Sequence, residues 1–331
     1  MKYVFGPVPS RRLGQSLGID PVPFKTCNWN CVYCQLGRTS PLANERKVYT
    51  PPQEVLDEVQ EALAAHGDGG IDWVTFVGSG EPTLHAGLGE MIRALKRLTP
   101  IPVAVLTNGS TLDLPEVRRD LAEADAVLPS LDAGSETLYR RINRPAAGLT
   151  LERLLCGLAA FRSEYRGRLW VEVMLLKGLN DTEEALADLA RALDRIGPDE
   201  VHINLPVRPP SEAWVEPPEE ACIARAAAIL GQIARVVRPT GAVLDLAGCD
   251  DPIEAIVAVI SRHPLPEKEI AESLARWQPS QVEETLRQLE ASGRARAITR
   301  RGVRFWSAAE ARYVDESRRH SRGASRPRSD N

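Results

Sequence analysis

The sequence predicts an α/β chain: a partial (β/α)6 barrel of the TIM type followed by a small winged-helix module. Three observations carry that expectation. Short Val-, Ile- and Leu-rich runs alternate with longer helix-like stretches from about Leu17 to Val237. The short runs mostly close on Gly, Asn or Pro, as buried parallel strands do. After Gly248 the alternation stops and three short amphipathic patterns follow. A chain of 331 residues has room for one large domain and a small second one.

The expected strands are Ser16–Asp20, Ile71–Gly78, Pro102–Thr107, Ala126–Asp132, Leu169–Leu176 and Glu200–Leu205. Between them, PPQEVLDEVQEALAAH repeats apolar residues at three and four, with prolines where a helix can begin. GLGEMIRALKRL, LTLERLLCGLAAFRSEY, NDTEEALADLARALDRI and PPEEACIARAAAILGQIARVV repeat the pattern. NDTEE supplies a capping residue and an acidic first turn, which suit the positive end of a helix. Right-handed β-then-α units curl into a barrel or part of one, and active sites in such barrels sit at the carboxyl ends of the strands.

Beyond Gly248, DPIEAIVAVISRHP, LPEKEIAESLARW and PSQVEETLRQLEASG read as three short helices, and RARAITRRGVRFW as a ribbon turning at Arg301–Gly302. Helix, helix, longer helix, then ribbon is the order of a winged helix-turn-helix. The expected division is therefore 1–248 for the barrel, 249–307 for the winged helix and 308–331 for a basic, disordered tail. From Ala291 to Asn331 there are 11 arginines, no lysine and four acidic residues, while the chain as a whole carries −4. Such an end suits a nucleic acid or an acidic protein, and serves equally as a solubilising tail.

Composition excludes several classes. Hydrophobic residues make up 43% and charged residues 26%, an ordinary globular balance. No apolar run reaches the roughly 18 residues of a membrane span, and MKYVFGPVPSRRLG lacks a secretory core, so a cytoplasmic protein with no membrane association is expected. Six cysteines in such a chain do not read as a disulfide framework.

Three of them fall within eight residues. KTCNWNCVYCQLG gives C-x3-C-x2-C at Cys27, Cys31 and Cys34, with an aromatic before the last. Soft thiolates at this spacing suit an iron–sulfur cluster. Electron carriers supply four cysteines; here the next is Cys156, so three ligands leave one iron open to a small molecule. Zinc would ordinarily want a second ligand pair, which the chain lacks.

CNWNCVYC resembles the signature of the radical S-adenosylmethionine superfamily. That resemblance implies a 4Fe-4S cluster on Cys27, Cys31 and Cys34, with S-adenosylmethionine on the fourth iron and the backbone of Tyr33 near its adenine. Gly80–Glu81–Pro82, in VGSGEPTLH, resembles the superfamily's Gly-Glu-Pro element, where a carboxylate and carbonyls accept from the methionine ammonium. TNG (Thr107–Gly109) and SLDAG (Ser130–Gly134) make Asn108, Ser130 and Asp132 candidates for the ribose or methionine carboxylate, though both also read as turns. MLLKGLND resembles the fifth-strand glycine motif that reads the adenine edge, with Gly178 as candidate; Gly178 and Asn180 read equally as helix-start punctuation.

The ordered set from GPVPSRRLG through HINLPVRPP resembles the wyosine-synthase-like iron–sulfur oxidoreductases. True wyosine synthases, which act on transfer RNA, are expected to carry further N-terminal cysteines, and no cysteine precedes Cys27 here. Lys177, His202 and Arg208 lie at or near strand ends, and Arg11 and Arg12 precede the first; they could face a substrate, although a lone cation at a strand end is more often structural. His85 reads as a helix-start residue, Cys156 as core packing, Cys222 as a helix residue, and Cys249 as a thiol able to cap the site.

The resemblance implies an enzyme that reductively cleaves S-adenosylmethionine to a 5′-deoxyadenosyl radical, with an external flavodoxin- or ferredoxin-type electron donor. The hydrogen would come from an RNA base, or else from a protein, peptide or small metabolite. From a different class, an iron–sulfur winged-helix DNA-binding sensor would use the cysteines but leave the Gly-Glu-Pro element unexplained.

Overall fold

The computed structural model describes residues 1–67, 70–238, 244, 251–275 and 277–314. Eight strands form one sheet in sequence order: β1 (Val4–Ser10), β2 (Gly14–Ile19), β3 (Trp73–Phe76), β4 (Val103–Thr107), β5 (Ala126–Pro129), β6 (Arg168–Met174), β7 (Glu200–Asn204) and β8 (Ala234–Val236). From β2 to β8 every neighbouring pair is parallel, and β1 folds back antiparallel on β2 at one edge. Helices α1 (Pro52–His66), α2 (Leu88–Leu98), α3 (Pro115–Leu121), α4 (Glu136–Ile142), α5 (Leu151–Glu164), α6 (Glu183–Ile196) and α7 (Glu220–Leu230) fill the crossovers. The α6 helix shows how local sequence sets these bounds. Thr182 accepts from the Ala185 amide, Glu183 and Glu184 sit in the first turn, and Gly197 closes the helix in a left-handed conformation.

The sheet curls. Arg12, in the β1–β2 turn, reaches across to pair with Glu172 of β6 and to donate to Asn204 at the end of β7. Between sheet and helices lies the main core, including Leu17, Phe76, Val105, Val127, Leu158 and Leu189. On the inner face Leu13, Ala104, Ala126, Leu128 and Trp170 pack together and fill one end of the curl.

The six expected strands are present, most shortened by a residue or more. β1 and β8 were not foreseen. VFGPVPS carries two prolines and a glycine, which a central strand would not tolerate but an edge strand can. β8 has three residues, below the length at which a pattern is readable. The short α3 and α4 also escaped the periodicity reading.

After the barrel come α8 (Pro252–Ile260), β9 (Leu265–Pro266), α9 (Glu267–Ser273), α10 (Pro279–Ala291), β10 (Ala295–Arg300) and β11 (Val303–Ala308). The strands form a separate sheet of order β10-β11-β9, all antiparallel. Ile256, Val259, Ile260, Ile270, Leu286 and Trp306 form its core, which continues into Phe5 of β1. Charged contacts fix the module to the barrel: Arg262 pairs with buried Asp20 at 2.9 Å, and Arg301 faces Glu216 at 3.7 Å. Arg300 donates to the carbonyls of Ala213 and Val215. No helix among the described residues is long and apolar enough to cross a membrane.

Candidate active site

The loop after β2 carries Cys27, Cys31 and Cys34 across the carboxyl ends of the strands. Backbone pairing holds it there: Lys25 donates to Ser79 O and Glu81 to Thr26 O, both at 2.8 Å. Gly80 makes this approach possible, because a Cβ at that position would stand 2.2 Å from Thr26 O. The Gly-Glu-Pro glycine therefore seats the cysteine loop on the third strand.

Each of the three sulfurs faces a nitrogen donor. Lys25 Nζ lies 3.2 Å from Cys34 Sγ, the Trp29 amide 3.4 Å and Asn108 Nδ2 3.8 Å from Cys27 Sγ, and Asn143 Nδ2 3.7 Å from Cys31 Sγ. Burial, with the nearby Glu81, pushes the Cys27 thiol up to about 12. Burial, then Asp132, raises Cys31 well above its ordinary value. A metal bound at sulfur would displace these protons, and the nitrogen donors would then stabilise the thiolates.

Soft sulfur donors, each facing a nitrogen donor, are the ligand set of an iron–sulfur cluster, and the three cysteines of this loop fit that group. Cys156 and Cys222 stand elsewhere, on the outer helices α5 and α7.

Two buried carboxylates organise the surrounding strand ends. Glu81 Oε1 accepts from the Thr83 amide (3.0 Å), Thr83 Oγ1 (2.6 Å) and Thr107 Oγ1 (2.6 Å), and Oε2 accepts from the Asn108 amide (2.6 Å). The side chain ties β3 to β4, and Oε2, with one donor against three on Oε1, keeps acceptor capacity. Asp132 similarly accepts from Tyr33 OH and Asn143 Nδ2, each at 2.6 Å, and from the Met174 amide at 2.8 Å. It joins the cysteine loop, the end of α4 and the end of β6. Burial raises both carboxyls above their ordinary values, and their hydrogen bonds offset part of that rise.

The other candidates divide. Asn108 donates to Asn28 Oδ1 at 2.7 Å, linking β4 to the cysteine loop. Ser130 extends β5 through a bridge to Glu172. Gly178 adopts φ +68 with open space around it, and its amide donates to Asp181, while buried Asn180 braces the same turn through Asp132 O and Met174 O. Lys177 pairs outward with Glu219. His202 packs on Trp170 and bonds Glu200, and buried His85 holds Thr50 and the turn before α2. Cys156 is exposed and contacts Glu152 and Arg195, correcting its expected place in the core. Cys249 lies outside the described residues.

A cavity of about 360 Å³ opens beside the cysteine loop. Ser16, Thr75 and Leu106 face it from the sheet, and Gln35, directly after Cys34, borders it on the loop side. The α8–α9 region roofs it through Arg262, His263, Leu265 and Glu269. Arg11, Arg12 and Arg208 line its wall, so these three cations do face the cavity. Sequence reasoning missed Lys25, Asn28, Asn143 and His263. The polar CNWNC spacing hinted at Asn28; Asn143 and His263 arrive from distant segments that carry no motif.

Residues 22–190 match the family model described as the Radical SAM superfamily. The chain is 37% identical over 278 residues to a UPF0026 protein of Methanocaldococcus jannaschii, covering 83% of this chain and 86% of that protein. It is 42% identical over 207 residues to a UPF0026 protein of Synechocystis, covering 62% and 76% respectively. The crystal structure of a radical SAM methyltransferase from Sphaerobacter thermophilus superposes with a TM-score of 0.50 at 21% identity, over 67% of this chain and 65% of that one; it shares the fold.

Proposed function

We propose that this chain, which belongs to the radical SAM superfamily, holds its 4Fe-4S cluster on Cys27, Cys31 and Cys34 and removes a hydrogen atom from a substrate in the adjoining cavity. When bound, the cluster supplies an electron that breaks the S–C5′ bond of S-adenosylmethionine and yields a 5′-deoxyadenosyl radical. The protein's part is to seat the loop, orient the ligands and exclude water. Gly80 and the Glu81 and Asp132 hydrogen bonds do the first. The backbone around Tyr33, Gly80, Asn108, Ser130 and Gly178 is read as the cofactor's surroundings. The C-terminal module does the last, by roofing the cavity.

The observation carrying this reading is that one loop brings three thiols to the strand ends, each facing a nitrogen donor. We read the helix–strand–helix–helix–strand–strand order of residues 251–308 as a winged helix, and 1–248 as the barrel domain. Its arginines favour a capping role over a nucleic-acid handle: Arg262, Arg300 and Arg301 engage the barrel, and Arg294 and Arg304 face Glu254, Glu267 and Glu290. A small substrate therefore accounts for the arginine-lined cavity better than an RNA base. A cytoplasmic setting is part of this reading, since clustered thiols keep a metal in a reducing compartment. An external flavodoxin- or ferredoxin-type reductant is the expected electron source.

Anaerobic reconstitution with iron and sulfide, followed by S-adenosylmethionine and dithionite, tests the chemistry. The expected result is 5′-deoxyadenosine and methionine in equal amounts, lost in Cys27→Ser. A fully loaded cluster that forms neither product overturns the proposal.

A further inference from the structure

Among the described residues, the cavity beside the cysteine loop carries more positive charge than its walls neutralise. Arg12 is matched by Glu172, and Arg262 by Asp20. Arg11 and Arg208 have no such match among the described residues. Arg11 Nη1 approaches the Val237 carbonyl at 3.4 Å, and Arg208 Nε donates to the Pro264 carbonyl at 3.0 Å. Among the described residues, neither guanidinium has a carboxylate within ion-pair distance. Glu269, the acidic group on the described wall, acts on both from farther away.

Each guanidinium presents five N–H donors, and a single carbonyl leaves most of them aimed elsewhere. Burial, then the neighbouring Arg11 and Arg12, push Arg208 down to about 9, against an opposing pull from Glu269. His263, in the same wall, is driven well below its ordinary value by burial and by Arg208, Arg11 and Arg12, so it stays neutral at physiological pH. Arginine keeps its charge in proteins, so the two cations persist as a desolvated pair awaiting a counter-charge. A purely structural guanidinium would be expected to pair with a carboxylate, as Arg12 and Arg262 do. Nothing in cleaving a sulfonium calls for this arrangement.

We infer that Arg11 and Arg208 form the binding site for an oxyanion, a phosphate or a carboxylate, carried by the small molecule that the radical attacks. The site itself stands on the geometry; calling its occupant the substrate rests on the radical reading above. Planar guanidiniums suit both anions through paired hydrogen bonds, and a cavity of about 360 Å³ is within the usual range for a small-molecule site.

The test is calorimetric titration of the reconstituted protein with inorganic phosphate and, separately, with acetate, at constant ionic strength. Saturable binding of one is expected, and the one that binds identifies the source of the oxyanion. Arg208→Gln and Arg11→Gln should each weaken it about tenfold or more, the size of a charge-assisted hydrogen bond. Glu269→Gln should tighten it several-fold by removing the opposing charge, a gain that misfolding cannot imitate. Melting temperature and iron content check that the arginine variants are folded. The proposal is overturned if neither anion binds, or if all three variants bind as the parent does. Formation of 5′-deoxyadenosine by the same parent preparation separates the two readings. Product without anion binding sinks the oxyanion site alone; anion binding without product sinks the radical reading and leaves the site standing.

Discussion

Replacing Gly80 by alanine isolates the step on which the metal centre depends, the seating of the cysteine loop. The added Cβ would lie 2.2 Å from Thr26 O, and ordinary contact begins at 3.4 Å, so loop and strand end must separate by roughly the difference. Backbone atoms cannot rotate away as a side chain can. A shift of that size breaks the 2.8 Å bonds Lys25 N to Ser79 O and Glu81 N to Thr26 O. Two such bonds contribute about 0.5–1.5 kcal/mol each, and forcing the overlap adds about 1–3 kcal/mol, for a total of about 2–6 kcal/mol. Cys27 follows Thr26 directly and would move with it. Thermal unfolding of the apoprotein and iron content after reconstitution read the two effects separately. Gly80→Ala should lose several degrees of Tm and most of its iron. Gly178→Ala is the matched control: its φ of +68 adds backbone strain, but no atom lies within 4 Å of the new Cβ, so iron content should hold. Equal Tm and equal iron in Gly80→Ala and the parent would refute the reasoning.

Asn143→Ala removes the donor 3.7 Å from Cys31 Sγ, and should move the cluster's reduction potential to more negative values in a redox titration; an unchanged potential would show that this contact does not act on the metal centre. Arg262→Gln breaks the pair with Asp20 and leaves a buried carboxylate without its cation, at a cost of about 3–5 kcal/mol. Hydrogen exchange should speed up in α8 and β11 more than in β3 to β7, whereas uniform exchange would contradict the docking role. Burial and the arginines facing it depress His263, so the folded state takes up its proton later than the unfolded chain does. That contribution is intact above about pH 6.5 and is lost as pH falls below it, by up to about 1.4 kcal/mol per pH unit. Urea unfolding between pH 7.5 and 5.5 should therefore weaken the parent more than His263→Asn. Parallel slopes would rule out His263 as the source.

The barrel was legible because parallel strands buried on both faces write continuous apolar runs, and because the crossover helices keep their periodicity. What the sequence hid was β1, disguised by its prolines, and the curl that carries Arg12 to Glu172. The cysteine loop was legible as local spacing. Glu81 and Asp132 were legible as residues, but their hydrogen bonds to neighbouring strand ends were not, because a motif marks a position without saying which way the carboxylate turns. Asn143 could not have been found, since it reaches Cys31 from 112 residues away. The same holds for the cavity. Arg11, Arg208 and Glu269 lie far apart along the chain, and each alone reads as an ordinary surface or strand-end charge.

The vacant corner of the metal centre is tested most directly by electron paramagnetic resonance of the reduced, reconstituted protein, before and after S-adenosylmethionine is added. Four irons per chain, with a spectrum that changes on addition, are the expected result. A spectrum identical with and without S-adenosylmethionine, at full iron loading, would contradict a cluster held by three thiolates and open at the fourth iron.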